Sequence, residues 1–209
     1  MKNKDIFLDI EKHLLNDDKP SIYLDEALKN RMFDDYPLSM IKELKDVEQN
    51  SKFHPEGNVF IHTMMVVDEG AKNRSKSKNK RAFMWALLLH DIGKKPTTKM
   101  RKGKLTSYDH DKVGEGMAKE FLKYFNEDDY FIDEVTSLVR WHMQSLFVNK
   151  GSRFQNIEGM LKDVDVNEIS LVALADRLGR GKLDNKDISE TIDEVERFRN
   201  IITKASKSI

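Results

Sequence analysis

The chain has 209 residues, room for one large domain, with 36 lysines and arginines balanced by 36 aspartates and glutamates, and no cysteine. Such a length forms a core without staples, the lack of cysteine removes disulfides, thiolate metal sites and cysteine nucleophiles together, and zero net charge supplies no whole-molecule field for stable DNA binding. The longest apolar run, Ala82–Leu89, falls far short of the ~20 residues of a membrane helix, and the amino terminus MKNKDIFLDIEK has no signal-peptide core, so a cytoplasmic protein with no membrane partner is expected.

Ten glycines and four prolines leave few breaks, and the expected class is all-α, a compact helical bundle. Ile6, Phe7, Ile10 and Leu14 recur at helical spacing. Ser21 is read as the cap of a short second helix, and a third runs from Leu38 to Val47. Residues 1–50 form a helical preamble to a main domain over 51–209. The stretch FHPEGN is a loop whose Asn58 caps a helix to about Gly70, and the basic segment AKNRSKSKNKR follows. Ala82–His90 is apolar on every side and is halted by Gly93 and Pro96. Lys94–Asp109 reads as a long loop. Helices resume over Asp111–Phe125, Tyr130–Val148, Ile157–Asp163, Asn167–Gly179 and Ser189–Ala205, the last with Asp187 and Glu190 spaced as a capping box. No alternating strand of five or more residues is apparent.

Polar groups inside apolar helices carry the chemical signal. His90 ends a helix that is apolar all round, hence buried, and Asp91 follows it. At a helix end both side chains can face one point, where the carboxyl-terminal dipole favours a cation. The dipeptide alone decides nothing, because His110-Asp111 repeats it. Asp176 shares a face with Ile169, Val172 and Ala173, so its carboxylate is paired, protonated or metal-bound. Arg180, four residues on, is the candidate ion-pair partner. His142 lies on the face of Val135, Leu138, Val139 and Leu146, and His62 shares one with Met65 and Val66. Taken singly, each is more often a hydrogen-bonded core histidine than a ligand. His13, among Glu11, Lys12 and Asn16, is a surface residue. Together His62, His90, Asp91, His110, His142 and Asp176 form a nitrogen and oxygen donor set suited to Mn, Fe, Co, Ni or Zn, or to Mg with more oxygens.

At these positions the sequence resembles the HD-domain superfamily of metal-dependent phosphohydrolases. The order His, His-Asp, Asp matches His62, His90-Asp91 and Asp176, and His110 and His142 look like the added ligands of two-metal members. The stretches HPEGNVFIHTMMVVD, ALLLHDIGKKPTT and GKLTSYDHDKVGEGMA are closer still to the HD domain of bacterial tRNA nucleotidyltransferases and poly(A) polymerases. The likeness runs from about Phe53 to Arg180. The fifty residues before it lack the glycine-rich motif of nucleotide addition, so a free-standing HD domain is expected. The resemblance implies an all-α bundle of the HD type holding one or two divalent ions.

If the set closes round metal, Asp91 is the natural bridge between two ions, and a metal-activated hydroxide would attack phosphorus. No amino-acid nucleophile is needed. Lys94, in the HD-x-G-K pattern, is either a phosphate ligand and catalytic group or an exposed helix-end lysine. Arg177 and Arg180 could face substrate, and His54 either lines the pocket or shapes the turn. The basic runs Lys72–Arg81 and Lys94–Lys104 either draw an anionic substrate or are solvated loops. The expected function is a phosphohydrolase, a phosphomonoesterase or phosphodiesterase, acting on a nucleotide, cyclic nucleotide or RNA-end phosphate. The alternative is a non-catalytic HD module that binds nucleotide or RNA in a regulatory role. Because ligating imidazoles must be neutral, metal affinity should fall below about pH 6.5.

Overall fold

The computed structural model describes residues 3–181 and 183–207. In chain order it contains α1 (Asn3–Asn16), α2 (Pro20–Lys29), α3 (Ser39–Lys42) running into a 3-10 turn (Glu43–Asp46), α4 (Val59–Asn73), a second 3-10 turn (Arg74–Lys76), α5 (Lys80–Leu89), α6 (Lys94–Thr97), β1 (Thr98–Arg101), β2 (Lys104–Ser107), α7 (His110–Tyr124), α8 (Asp129–Trp141), α9 (Gln144–Asn149), α10 (Ile157–Asp163), α11 (Val166–Leu178) and α12 (Asn185–Ser206). The architecture is the all-α bundle expected. No helix among the described residues is long and apolar enough to cross a membrane.

The axis of the core is α5, in which every residue from Ala82 to Leu89 is buried. A helix without a polar face needs neighbours on all sides, and α5 packs against α1, α4, α8 and α11. The first helix shares this core. Phe7 stacks on Trp85 and on Phe125, with ring centroids 4.4 Å apart in both pairs, and the Trp85 indole N–H donates to Glu11 Oε2 at 2.9 Å.

Several local expectations change. Lys94–Asp109 is a helical turn and an antiparallel hairpin, with Thr98 paired to Ser107 and Arg101 to Lys104. Lys102 and Gly103 close it at φ 50° and 72°, the positive-φ pair that two-residue hairpin turns use. Its four-residue strands are too short for alternation to declare itself. Ser21 caps nothing. It lies inside α2, and its backbone N–H and hydroxyl both bond to Asp68 on α4, at 3.0 and 2.7 Å. The capping box of α12 comes three residues early, from Asp184 and Asp187. Asn58 does cap α4, accepting from Ile61 N at 3.0 Å.

The span expected as one helix over Tyr130–Val148 breaks after Trp141. The reason is His142 itself. Its Nδ1–H donates to the Val139 carbonyl at 2.7 Å, the acceptor that Met143 N–H would use in a continuing helix. His90 ends α5 in the same way, with Nδ1 2.7 Å from the Leu87 carbonyl.

Gly93 fixes how close the chain after α5 comes to α7. A Cβ there would lie 2.1 Å from the His110 carbonyl oxygen and 2.5 Å from Gly114 N. Gly93→Ala is therefore expected to force α7 outward, at about 1–3 kcal/mol of stability, and to carry His110 away from Asp91. Denaturant unfolding together with metal content checks this. Unchanged stability with full metal content would contradict it.

Candidate metal centre

Four helices deliver one histidine each. His62 comes from the middle of α4, His90 from the end of α5, His110 from the first residue of α7 and His142 from the end of α8. All four are buried, as are Asp91 and Asp176. Adjacent residues inside a helix would diverge by about 100°, but His90 and Asp91 stand at the helix terminus, and their Nε2 and Oδ2 are 3.2 Å apart.

Asp91 joins two groups. Its Oδ2 faces His62 Nε2 at 3.8 Å and His90 Nε2 at 3.2 Å. Its Oδ1 faces His110 Nε2 at 3.4 Å and His142 Nε2 at 3.7 Å. In each group one candidate ligand atom per residue lies within 4.8 Å of the others. Asp176 enters through His62, with Oδ1 3.1 Å from Nε2. No ion pair between Asp176 and Arg180 occurs among the described residues, so the carboxylate is met by imidazole.

The ring nitrogens are sorted by function. A carbonyl oxygen only accepts, so the Nδ1 atoms of His90, His110 and His142, each 2.7 Å from the carbonyl three residues earlier, must carry the proton. In the neutral ring this leaves Nε2 as a bare lone pair aimed at the cluster. His110 Nε2 and His142 Nε2 are 3.2 Å apart, two acceptors face to face. His90 Nε2 and Asp91 Oδ2 are buried with no hydrogen-bond partner. The nearest charge to Asp91 Oδ2 is Lys94 Nζ, at 2.6 Å but out of hydrogen-bonding geometry. Burying such atoms unpaired is costly, and a divalent cation satisfies all of them at once. The residues fit the metal that the donor set implies.

Burial pushes the Asp91 carboxyl up, but the charges of His90 and Lys94 outweigh it and hold it well below the carboxylate range. Asp176 behaves alike, burial being outweighed by the hydrogen bond from His62 and the charge of Arg180. Both are ready anions. His142 is pushed down to about 4 by burial and by the neighbouring His110 and His90 charges. For His62 burial pulls down, and hydrogen bonds to Asp176 and Glu56 raise it above its ordinary value.

Glu56 is the site residue that the sequence did not disclose. Its side chain is 1 % exposed, and Oε1 lies 3.1 Å from His62 Nδ1 and 2.9 Å from His54 Nδ1. Oε2 accepts from Gly181 N at 3.2 Å, while His62 Nδ1 also donates to the Gly179 carbonyl at 3.2 Å. Only its place in HPEG, inside a polar turn, could have marked it. A carboxylate behind a ligating imidazole fixes the ring and raises its basicity. Glu56→Gln is expected to weaken metal binding about 10–100-fold, as measured by competition with a chromophoric chelator. Unchanged affinity would refute this.

The remaining candidates separate. Lys94 reaches the cluster, and its Nζ donates to Gln49 Oε1 at 2.8 Å, a second partner that sequence reasoning missed. His54 packs edge-on against His62, centroids 4.8 Å apart, so it lines the site. It is held below its ordinary value first by burial, with the Lys94 and Arg180 charges adding to this against the Glu56 hydrogen bond. Arg180 thus lies within electrostatic reach of both His54 and Asp176, with its Nε buried and unpartnered. Arg177 does not join them. Its guanidinium is paired with Glu194 of α12, because residues adjacent on a helix point apart.

Residues 54–181 match the profile of the HD domain. The chain belongs to the HD-domain family. Among curated proteins this HD domain is similar to two Multifunctional CCA proteins over 87% of its chain. It is 28% identical over 190 residues to that of Haemophilus influenzae (strain PittGG) and 24% identical over 189 residues to that of Pasteurella multocida (strain Pm70). The matches take in 45% and 44% of those proteins, so the chain spans less than half the length of these relatives. The resemblance carried by HPEGNVFIHTMMVVD and ALLLHDIGKKPTT is therefore met by a family match around the assembled cluster.

Proposed function

We propose that the chain is a metal-dependent phosphohydrolase acting on a phosphoester of a nucleotide, cyclic nucleotide or RNA end. The observation that carries this reading is the single carboxylate of Asp91, shared by two groups of imidazoles whose Nε2 atoms converge on it, those of His90, His110 and His142 as bare lone pairs. His62, His90, Asp91 and Asp176 form one ligand group, and Asp91, His110 and His142 the other. A bound divalent ion supplies Lewis acidity and a water acidified to near neutral pH.

The chain's own groups do the rest. Lys94, held between Asp91 and Gln49, donates from Nζ to a phosphoryl oxygen and offsets the charge gathering there as the ester P–O bond breaks. Arg180 and His54 line the same side and bind the phosphate. Arg177, committed to Glu194, takes no part. A regulatory module needs only to bind, and nothing in that role calls for so many lone pairs on one point. The reading is tested by elemental analysis of protein purified without chelator, joined to turnover of phosphomonoesters and of 2′,3′- and 3′,5′-cyclic nucleotides. Bound divalent metal with turnover supports it. Tight nucleotide binding with no hydrolysis under any divalent metal overturns it in favour of the regulatory module.

A further inference from the structure

The two basic runs have opposite fates. In Lys72–Arg81 the charges are largely consumed within the fold: Lys72 pairs with Glu69, Lys78 with Asp165, and Arg81 with Glu11 and Glu127, while Arg74 donates to the Asp17 carbonyl. Within the second run, Lys99, Arg101, Lys102 and Lys104 have no salt bridge among the described residues, and the β1–β2 hairpin carries them into solvent.

The hairpin also sorts them. Side chains alternate along a strand, and the register pairs Lys99 with Thr106 and Arg101 with Lys104. Lys99, Arg101 and Lys104 therefore share one face. Tyr108 continues the parity of Lys104 and Thr106. It is 57% exposed, with the Arg101 guanidinium 4.7 Å from its ring centroid. Three cations and an aromatic ring thus stand on one side of a short ribbon. Both feet of that ribbon are in the metal centre. Upstream of β1, α6 begins with Lys94, which reaches Asp91. Downstream of β2, the Ser107 carbonyl accepts from His110 Nδ1 at 2.7 Å.

We propose that the hairpin face of Lys99, Arg101, Lys104 and Tyr108 is a platform for a single-stranded nucleic acid, leading its terminal phosphate to the metal centre. The inference rests on the phosphohydrolase reading above and narrows its substrate to the end of a strand. Charge complementarity selects the partner class: a polyanion answers three unneutralised cations. The exposed ring beside a guanidinium suits a stacked base, which an acidic peptide lacks. At about 3.3 Å per residue, four residues extend over about 13 Å, more than one nucleotide needs.

Binding is measured by fluorescence anisotropy with labelled oligonucleotides of one sequence, as RNA and as DNA, each ending in a phosphate, across a salt series. The triple variant Lys99→Ala, Arg101→Ala, Lys104→Ala is expected to reduce the slope of log affinity against log salt by about 2. Tyr108→Ala is expected to weaken binding about tenfold or more. Binding of both strands points to phosphate and base recognition, and binding of RNA alone adds the 2′-hydroxyl; either supports the platform. Wild-type affinity and slope in both variants overturn it. So does preferential binding of wild-type protein to phosphatidylserine vesicles over either strand. Turnover of small phosphoesters by the wild-type protein is scored separately. Strand binding lost in the variants while wild-type turnover is nil sinks the phosphohydrolase reading alone, whereas turnover present with variant binding unchanged sinks the platform alone.

Discussion

Asp91→Ala is expected to abolish hydrolysis, with kcat/KM falling by about 10³-fold or more, and to release the bound metal. Metal-ion catalysis is worth several kcal/mol, and each 1.36 kcal/mol is a factor of ten in rate. The loss is large because, among the described residues, Asp91 is the one member common to both ligand groups. Oδ2 serves His62 and His90, and Oδ1 serves His110 and His142. His142→Ala, which deprives only one group, is expected to retain part of the metal, so the pair of variants separates a shared ligand from an ordinary one. Removing a buried carboxylate also leaves Lys94 without its counter-charge, at a cost of about 3–5 kcal/mol. Asp91→Asn, which keeps the volume, guards against simple unfolding, and far-ultraviolet circular dichroism reports it. A folded Asp91 variant with wild-type turnover and metal content would end the case for this centre.

How much of this was legible in the sequence follows from what each residue sits among. His62, His90, His142 and Asp176 stood out because a polar group on an apolar helical face needs a partner, and all four are buried in the cluster. Convergence of His90 with Asp91 was legible from the glycine that stops the helix. Glu56 was not, since an acid in a polar turn looks solvated until Gly179 and Gly181 are folded back over it. Gly179 makes that return possible, as a Cβ there would lie 2.5 Å from Val66 Cγ2. The break at His142 escaped because apolar spacing continues through it, and the bond from its own ring to the Val139 carbonyl at the break leaves no mark in that spacing. The hairpin escaped for want of length. Its cations were visible as a run, but their placement on one face depends on register, and composition carries no register.

The second large effect expected is on metal affinity as a function of pH, and its window is set by His62 more than by an ordinary imidazole. In the metal-free protein Asp176 faces Nε2 and Glu56 faces Nδ1, so His62 holds its proton above its usual value. A metal ion must displace that proton to reach Nε2, so binding below the raised value is expected to release a proton. The sign follows. A raised folded-state value means that protonation stabilises the metal-free fold fully below about 6.5, a contribution lost as pH rises through the raised value. The competing proton therefore weakens metal binding about tenfold for each unit of pH lowered below that value. His142 acts in the reverse sense. Held near 4, it is neutral and ready to ligate across the neutral range. Its contribution to the fold, present above about 6.5, is lost only as pH falls towards 4. Asp91 and Asp176, well below the carboxylate range, stay ionised throughout. Calorimetric titration with Mn or Zn in buffers of different ionisation enthalpy counts the proton, and competition with a chelator from pH 5 to 8 gives the slope. Glu56→Gln removes one support of the raised value and is expected to shift the window down. Affinity flat across that range, or no proton released, would mean that His62 does not ligate.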